Sequence, residues 1–176
     1  MNVVGDTQDV TATAHNTEIR RSLGEGDARG IADLHRRVYA PEYGMNDEFV
    51  SRVAAGVLDA VAAGWPQSGG GVWLVDHEDQ LAGSLALTDE GGGLGRVRWF
   101  VFAPQLRGQG LARTLVADLL RSARAQAMTR LELETFSALK AAARIYREVG
   151  FGVVSSCERT DWGPPITYQH YRLELG

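Results

Sequence analysis

The chain has 176 residues, 44% of them hydrophobic and 23% charged, with a formal net charge of -4. That length suits one domain with a real core, and the composition excludes a disordered, collagenous or fibrous chain. An acidic balance argues against a general basic face for duplex nucleic acid, so no nucleic-acid partner is expected. Cys157, the single cysteine, has no intrachain disulfide partner, and no Cys-x-x-Cys or His-Glu-x-x-His spacing occurs. No metal is therefore expected, and a reducing cytoplasm is the expected compartment.

Residues 1–16 contain no Lys or Arg and no apolar run of signal-peptide length. They read as a flexible N-terminal tail ahead of a single domain spanning 17–176. No stretch approaches the roughly 18 consecutive apolar residues a membrane span requires, so no membrane partner is expected.

Thr17 to Leu23 is a candidate strand, and Asp27 can cap a helix beginning near Ala28. Ile31, Leu34 and Val38 mark its apolar stripe, and Pro41 is expected to stop it. A second helix starts at Asn46 or Asp47, with Phe49, Val53, Val57, Leu58 and Val61 on its apolar side. Val72 to Val75 and Leu81 to Leu87 flank the polar turn Asp76 to Gln80, the pattern of an antiparallel hairpin. Val97 to Phe102 is the next strand. Leu111, Leu115, Val116, Leu119 and Ala123 then repeat at helical spacing, predicting a helix over about Gly110 to Ala127. Leu131 to Phe136 reads as a strand, and Ala138, Ala142, Ile145 and Val149 as a helix that Gly150 ends. Phe151 to Ser155 and Thr167 to Leu175 complete the chain as strands. No internal repeat appears.

The segment Val101 to Ala112 runs from a strand through a glycine-containing loop into a helix. Free N–H groups at a helix start carry partial positive charge, and glycine lets the backbone approach a phosphate closely. The alternative is a connector that merely turns the chain. A dinucleotide fingerprint counted from Gly108 places Arg113 where the third glycine belongs, and no Gly-Lys-Ser or Gly-Lys-Thr supplies a Walker loop.

Gln105-Leu106-Arg107-Gly108-Gln109-Gly110 has the form Q/R-x-x-G-x-G/A and resembles the acetyl-CoA pyrophosphate loop of the GNAT superfamily of N-acetyltransferases. Ala141 to Phe151, a helix carrying Tyr146 and ending in Gly-Phe, resembles that superfamily's second signature. Tyr39 to Gly44 and the ending Trp162 to Leu175 further resemble GNAT domains found fused to MarR-type regulators, whose regulator domain has no counterpart here. The resemblance implies an α/β (α+β) domain with a mixed, mostly antiparallel central sheet of six to seven strands flanked by about four helices. It also implies direct transfer of acetyl from acetyl-CoA, as cosubstrate, to a primary amine of a small-molecule substrate. Carried over by position, Phe100, Val101 and Phe102 run beside the pantetheine, and the N–H groups of Arg107, Gly108, Gln109, Gly110, Leu111 and Ala112 hold the diphosphate. The Arg107 side chain adds positive charge nearby.

Tyr146 falls at the family's general-acid position. A phenol with an ordinary pKa of about 10 can protonate a departing thiolate at neutral pH, although a tyrosine on an amphipathic helix also serves simply to pack. The strand Val97 to Phe102 carries no carboxylate, so the base is sought on the next strand. Glu132 and Glu134 share one face of it and are the nearest candidates, Glu134 being chosen as the base, against the alternative of an ordinary solvated face, which is favoured for Glu132. Glu42, Tyr43 and Phe136 are candidates for contacting the acceptor, against the alternatives of a surface acid and core packing. Where many relatives carry an asparagine after this strand, Phe136-Ser137 stands instead, and Ser137 is a candidate helix cap. His15, His35, His77 and His170 lack ligand spacing and read as surface or packing residues. A noncatalytic acyl-CoA-binding sensor or assembly module is the alternative function. The four tryptophans, with Tyr168 to Tyr171, suggest a homodimer surface.

Overall fold

A computed structural model describes residues 16–176; the tail expected before them and His15 lie outside the described residues. Seven strands form one sheet in the order β1-β2-β3-β4-β5-β7-β6. They are β1 (Thr17–Arg20), β2 (Gly71–His77), β3 (Gln80–Asp89), β4 (Leu94–Phe102), β5 (Arg130–Phe136), β6 (Gly152–Arg159) and β7 (Ile166–Glu174). Four helices accompany them: α1 (Asp27–Tyr43), α2 (Asp47–Ala62), α3 (Leu111–Ala125) and α4 (Lys140–Glu148). Every neighbouring pair is antiparallel except β4 with β5. This is the mixed, mostly antiparallel architecture expected from the sequence.

Helix α1 does not stop at Pro41 but runs through it to Tyr43. A proline forfeits one ladder hydrogen bond, and only two helical residues follow it. Gly44, left-handed at φ 68°, closes the helix by donating to the Ala40 carbonyl, and Met45 N–H reaches the Tyr39 carbonyl. Asn46 then caps α2, its side chain accepting from Phe49 N–H at 3.1 Å. The buried face of α2 is Phe49, Val50 and Val57, whereas Leu58 and Val61, expected on it, are 58% and 39% exposed. Val50 takes their place because the stripe runs one residue round the helix from the assumed one.

The hairpin β2–β3 turns on Glu78 and Asp79, both with positive φ, as a two-residue turn compatible with strand twist requires. Within β4 a bulge sets Trp99 and Phe100 against one residue of β3, with Trp99 at φ 47° and its carbonyl accepting from the Ser84 hydroxyl. Trp99 packs against Trp65 beneath α1 and α2, ring centroids 5.2 Å apart. All four tryptophans are buried, so none is available for the dimer surface expected of them.

The feature that creates a site is the parting of β4 from β5. They pair only from Leu94 with Arg130 to Val97 with Leu133. Beyond that point Arg98 to Phe102 and Glu134 to Phe136 flank an opening. Among the described residues, no helix is long and apolar enough to cross a membrane.

Candidate active site

The opening has two lobes that share Tyr39, Phe100 and Leu139. The lobe toward the glycine loop has a volume of about 370 Å³ and lies between the end of β4, the start of α3 and the first turns of α4. The other, of about 500 Å³, is bounded by α1, α2, β4 and β5.

In the first lobe the chain leaves β4 through the 3₁₀ turn Pro104–Leu106 and enters α3 by way of Gly108 and Gly110, at φ 75° and 76°. An added Cβ at either glycine meets nothing within 4 Å, so the concave side of the loop is open. Among the described residues no acceptor takes the backbone N–H groups of 108–113. Successive unpaired amides at a helix N-terminus form a nest for an anion, and a diphosphate fits its chemistry. Gln109, Leu111 and Ala112 belong to this loop and helix start, and Phe100, Val101 and Phe102 form the strand wall.

Arg107 does not point freely toward that nest. It forms a two-pronged ion pair with Glu42, both distances 2.9 Å, and donates to the Phe102 carbonyl at 3.2 and 3.0 Å. Glu42 is thus paired with Arg107 and lines neither lobe. Tyr43 lines the first lobe, away from the second one. Burial and the neighbouring Glu42 carboxylate push its phenol above the ordinary value.

Tyr146 faces the second lobe from α4 and is 5% exposed. The chain segment that follows it explains its placement. Gly150, at φ 103°, reverses the chain so that Phe151 N–H donates to the Tyr146 carbonyl at 2.9 Å. Rings of Phe100, Phe151 and Tyr171 then surround the phenol at 5.8 to 5.9 Å. Its hydroxyl has no hydrogen-bond partner among the described residues and borders the cavity. Burial raises the phenol well above 10, so it stays protonated throughout the neutral range. Ser137 does not cap α4; its N–H continues the sheet by donating to the Thr167 carbonyl at 2.9 Å.

The two β5 carboxylates share a face, as their alternation requires, yet meet different partners. Glu132 is not solvated: at 6% exposure it accepts from Arg172 at 3.0 Å, lies 3.1 Å from His170 Nε2 and has Arg130 at 3.4 Å. Burial pushes its carboxyl up, but the Arg172 hydrogen bond and the His170 and Arg172 charges outweigh this and hold it below the ordinary value. Glu134, one pleat farther on, lines the second lobe, accepts from the Tyr168 hydroxyl at 2.8 Å and stands 3.7 Å from Arg96. Phe136 is buried, its ring 5.7 Å from Tyr39 and 5.4 Å from Tyr43, and it walls the second lobe.

Sequence reasoning missed Tyr39 as a structural pivot. Its hydroxyl donates to the Phe100 carbonyl at 3.1 Å, binding α1 to the bulged strand where the lobes meet. The available signal was its place beside Leu34, His35 and Val38 on the α1 stripe. Arg52, Arg96, Arg98 and Trp162 also line the second lobe and were not anticipated there.

The acetyltransferase (GNAT) family pattern matches residues 35–151, which contain both lobes' central elements. The chain belongs to that family. This GNAT acetyltransferase is 31% identical over 141 residues to the uncharacterised N-acetyltransferase YjgM of Escherichia coli (strain K12), covering 78% of this chain and 84% of YjgM. Solved structures share its fold. An acetyltransferase from Streptococcus agalactiae 2603 superposes with a TM-score of 0.72 at 20% identity, over 90% of this chain and 98% of that one. The Salmonella typhimurium protein yncA, solved with its cofactor acetyl-CoA, gives 0.67 at 17% identity over 92% and 95%. No group of His, Cys, Asp and Glu suited to a metal ion occurs among this acetyltransferase's described residues.

His35 also lines the second lobe and provides a test of how the pocket wall responds to pH. It is 3% exposed, with Nδ1 donating to the Ile31 carbonyl at 2.7 Å. Burial lowers its pKa from 6.5 to about 4, against a smaller opposing effect of that carbonyl. The unfolded chain therefore binds a proton near pH 6.5 that the fold refuses. Stability is complete above that value and declines as pH falls toward 4, with about 2 kcal/mol lost by pH 5. Urea unfolding at pH 7 and pH 5 reads this loss directly; equal stabilities would contradict it.

Proposed function

We propose that this acetyltransferase moves the acetyl group of acetyl-CoA directly onto the primary amine of a small molecule. The observation that carries the reading is one opening with an unpaired amide nest in the first lobe and a cavity-facing, buried phenol bordering the second. Acetyl-CoA supplies the activated thioester. The N–H groups from Gly108 to Ala112 take the diphosphate, with Arg107 alongside, and the strand wall Phe100 to Phe102 guides the pantetheine toward Tyr146.

The acceptor amine enters from the second lobe. An alkylammonium with a pKa of about 10 must lose a proton before it attacks, and Glu134 is the carboxylate positioned to receive it through water. Glu132, fixed between Arg172 and His170, is not. As the tetrahedral intermediate collapses and its C–S bond breaks, Tyr146 donates its phenolic proton to the leaving thiolate and is restored by the second proton shed from the amine nitrogen; its burial preserves the protonated form this role needs.

Coenzyme A release measured against a panel of primary amines tests the proposal. Release that depends on the amine and saturates with it is the expected result. Saturable acetyl-CoA binding with no amine-dependent release across the panel would replace it with a noncatalytic acyl-CoA-binding module.

The Glu42–Arg107 pair adds an outcome of unusual sign. Arg107 stays anchored on the Phe102 carbonyl by two hydrogen bonds, so Glu42→Gln leaves the guanidinium in place but removes the charge that balances it. Acetyl-CoA binding is expected to tighten by about threefold at low salt and less at high salt, the scale of a partly exposed ion pair. Weaker binding by calorimetry would show instead that Glu42 is needed to shape the loop.

A further inference from the structure

The second lobe is richer in cations than in anions. Arg52, Arg96 and Arg98 border it, against Glu90 and Glu134. Glu134 has Arg96 at 3.7 Å and accepts from the Tyr168 hydroxyl while still lining the lobe, and Glu90 accepts from the Thr88 hydroxyl. Among the described residues no carboxylate lies within 4.0 Å of Arg98 or Arg52. Burial lowers the Arg98 pKa, with Glu90, Glu134 and Asp59 opposing this from a distance and Arg96 adding to it.

Arg98 is also held in place. Its guanidinium lies 4.5 Å from the centre of the Trp99 ring, and its Nη2 occupies space 2.9 Å from where a Cβ at Gly56 would stand. A side chain at that point of α2 would displace it. Arg52, one turn earlier on α2, lies 5.8 Å from the centre of the Trp162 ring. A fixed, partly desolvated guanidinium that borders a cavity and has no protein carboxylate within 4.0 Å is arranged to receive one from a ligand in two-pronged fashion.

We propose that the acceptor is an amino acid, its carboxylate bound by Arg98 with Arg52 assisting, and its amine directed toward Glu134 and the junction of the lobes. The proposal rests on the second lobe being the amine site. Arg98 and Glu134 stand on the two strands where β4 and β5 part, so one small zwitterion spans them. Phe49, Phe136, Trp162 and Tyr168 wall the remaining space, which suits an apolar or aromatic side chain.

Calorimetry on the full chain saturated with coenzyme A tests this without requiring turnover. Phenylalanine, methionine and leucine are compared with the amines produced by removing their carboxyl groups. At least one amino acid is expected to bind about tenfold or more tightly than its amine, the scale of a charge-assisted pair. Arg98→Gln is expected to reduce that preference to below about threefold and Arg98→Lys to restore part of it, with coenzyme A binding serving as the folding control. Arg52→Gln, at an exposed position, provides a second variant with a smaller loss in the same direction. Amines that bind as tightly as their amino acids, or a preference that survives both glutamine variants, would overturn the proposal. A carboxylate preference without acetylation of any ligand would uphold it while defeating the transfer reaction. Acetylation with equal efficiency on amino acids and simple amines would do the reverse.

Discussion

Tyr146→Phe is expected to lower kcat by about 10²- to 10⁴-fold while leaving acetyl-CoA affinity nearly unchanged, the range observed for loss of a general acid. The ring contacts with Phe100, Phe151 and Tyr171 survive the substitution, since they involve the ring and not the hydroxyl. No protein hydrogen bond of the hydroxyl among the described residues is lost, so stability is expected to change little. The pH profile sharpens the distinction. An ordinary phenol would begin to ionise near pH 10 and cause an alkaline decline, but burial moves Tyr146 well above that value. Wild-type activity should therefore rise as the amine loses its proton and hold through pH 10. A Phe variant within about threefold of the parent kcat, where chemistry limits the rate, would mean that Tyr146 only packs.

The second large effect belongs to the nest. Gly110→Val is expected to weaken acetyl-CoA binding by about 100-fold or more, for two separable reasons. A β-branched residue at φ 76° is strained by roughly 1–2 kcal/mol, and its side chain is added at the wall of the lobe proposed to hold the diphosphate. Because nothing lies within 4 Å of the new Cβ, the fold has no clash to absorb and the defect should appear in binding. Gly110→Ala has the strain with less obstruction and should fall between the two. Calorimetry on all three proteins distinguishes this order from a loop that merely connects β4 to α3, for which affinity would be unchanged.

Much of the architecture was legible because each element carries its own period. Apolar runs on either side of a polar turn identified β2 and β3, alternation identified β5, and the spacing of Leu111, Leu115 and Leu119 identified α3. Glycines marked the loop between β4 and α3 and the turn after α4. The errors arose where a local rule met a nonlocal circumstance. Pro41 was tolerated because α1 had only two residues left to run. Leu58 and Val61 satisfy a helical stripe in sequence, but the surface that selects the buried stripe comes from other elements.

The site divides in the same way. Its glycine-loop lobe is built mainly from one stretch of chain and was readable from it. The second lobe is assembled from α1, α2, β4, β5 and the segment around Trp162, residues far apart in sequence. Glu132 and Glu134 are two residues apart and equivalent by alternation; only the pairing of β5 with β7 sets Arg172 and His170 beside the first and leaves the second open to the lobe. The Glu42–Arg107 pair was hidden for the same reason, being a contact between a helix end and a distant loop.

In the proposed complex the opening between β4 and β5 orients acetyl-CoA with its diphosphate on the glycine nest and its thioester at Tyr146. A crystal structure of the chain with acetyl-CoA would show this arrangement. Diphosphate oxygens are expected on the backbone N–H groups between Gly108 and Ala112, and a sulfur within about 3–4 Å of the Tyr146 hydroxyl. A diphosphate bound elsewhere, or a sulfur too far from Tyr146 for proton transfer even through one water, would contradict it.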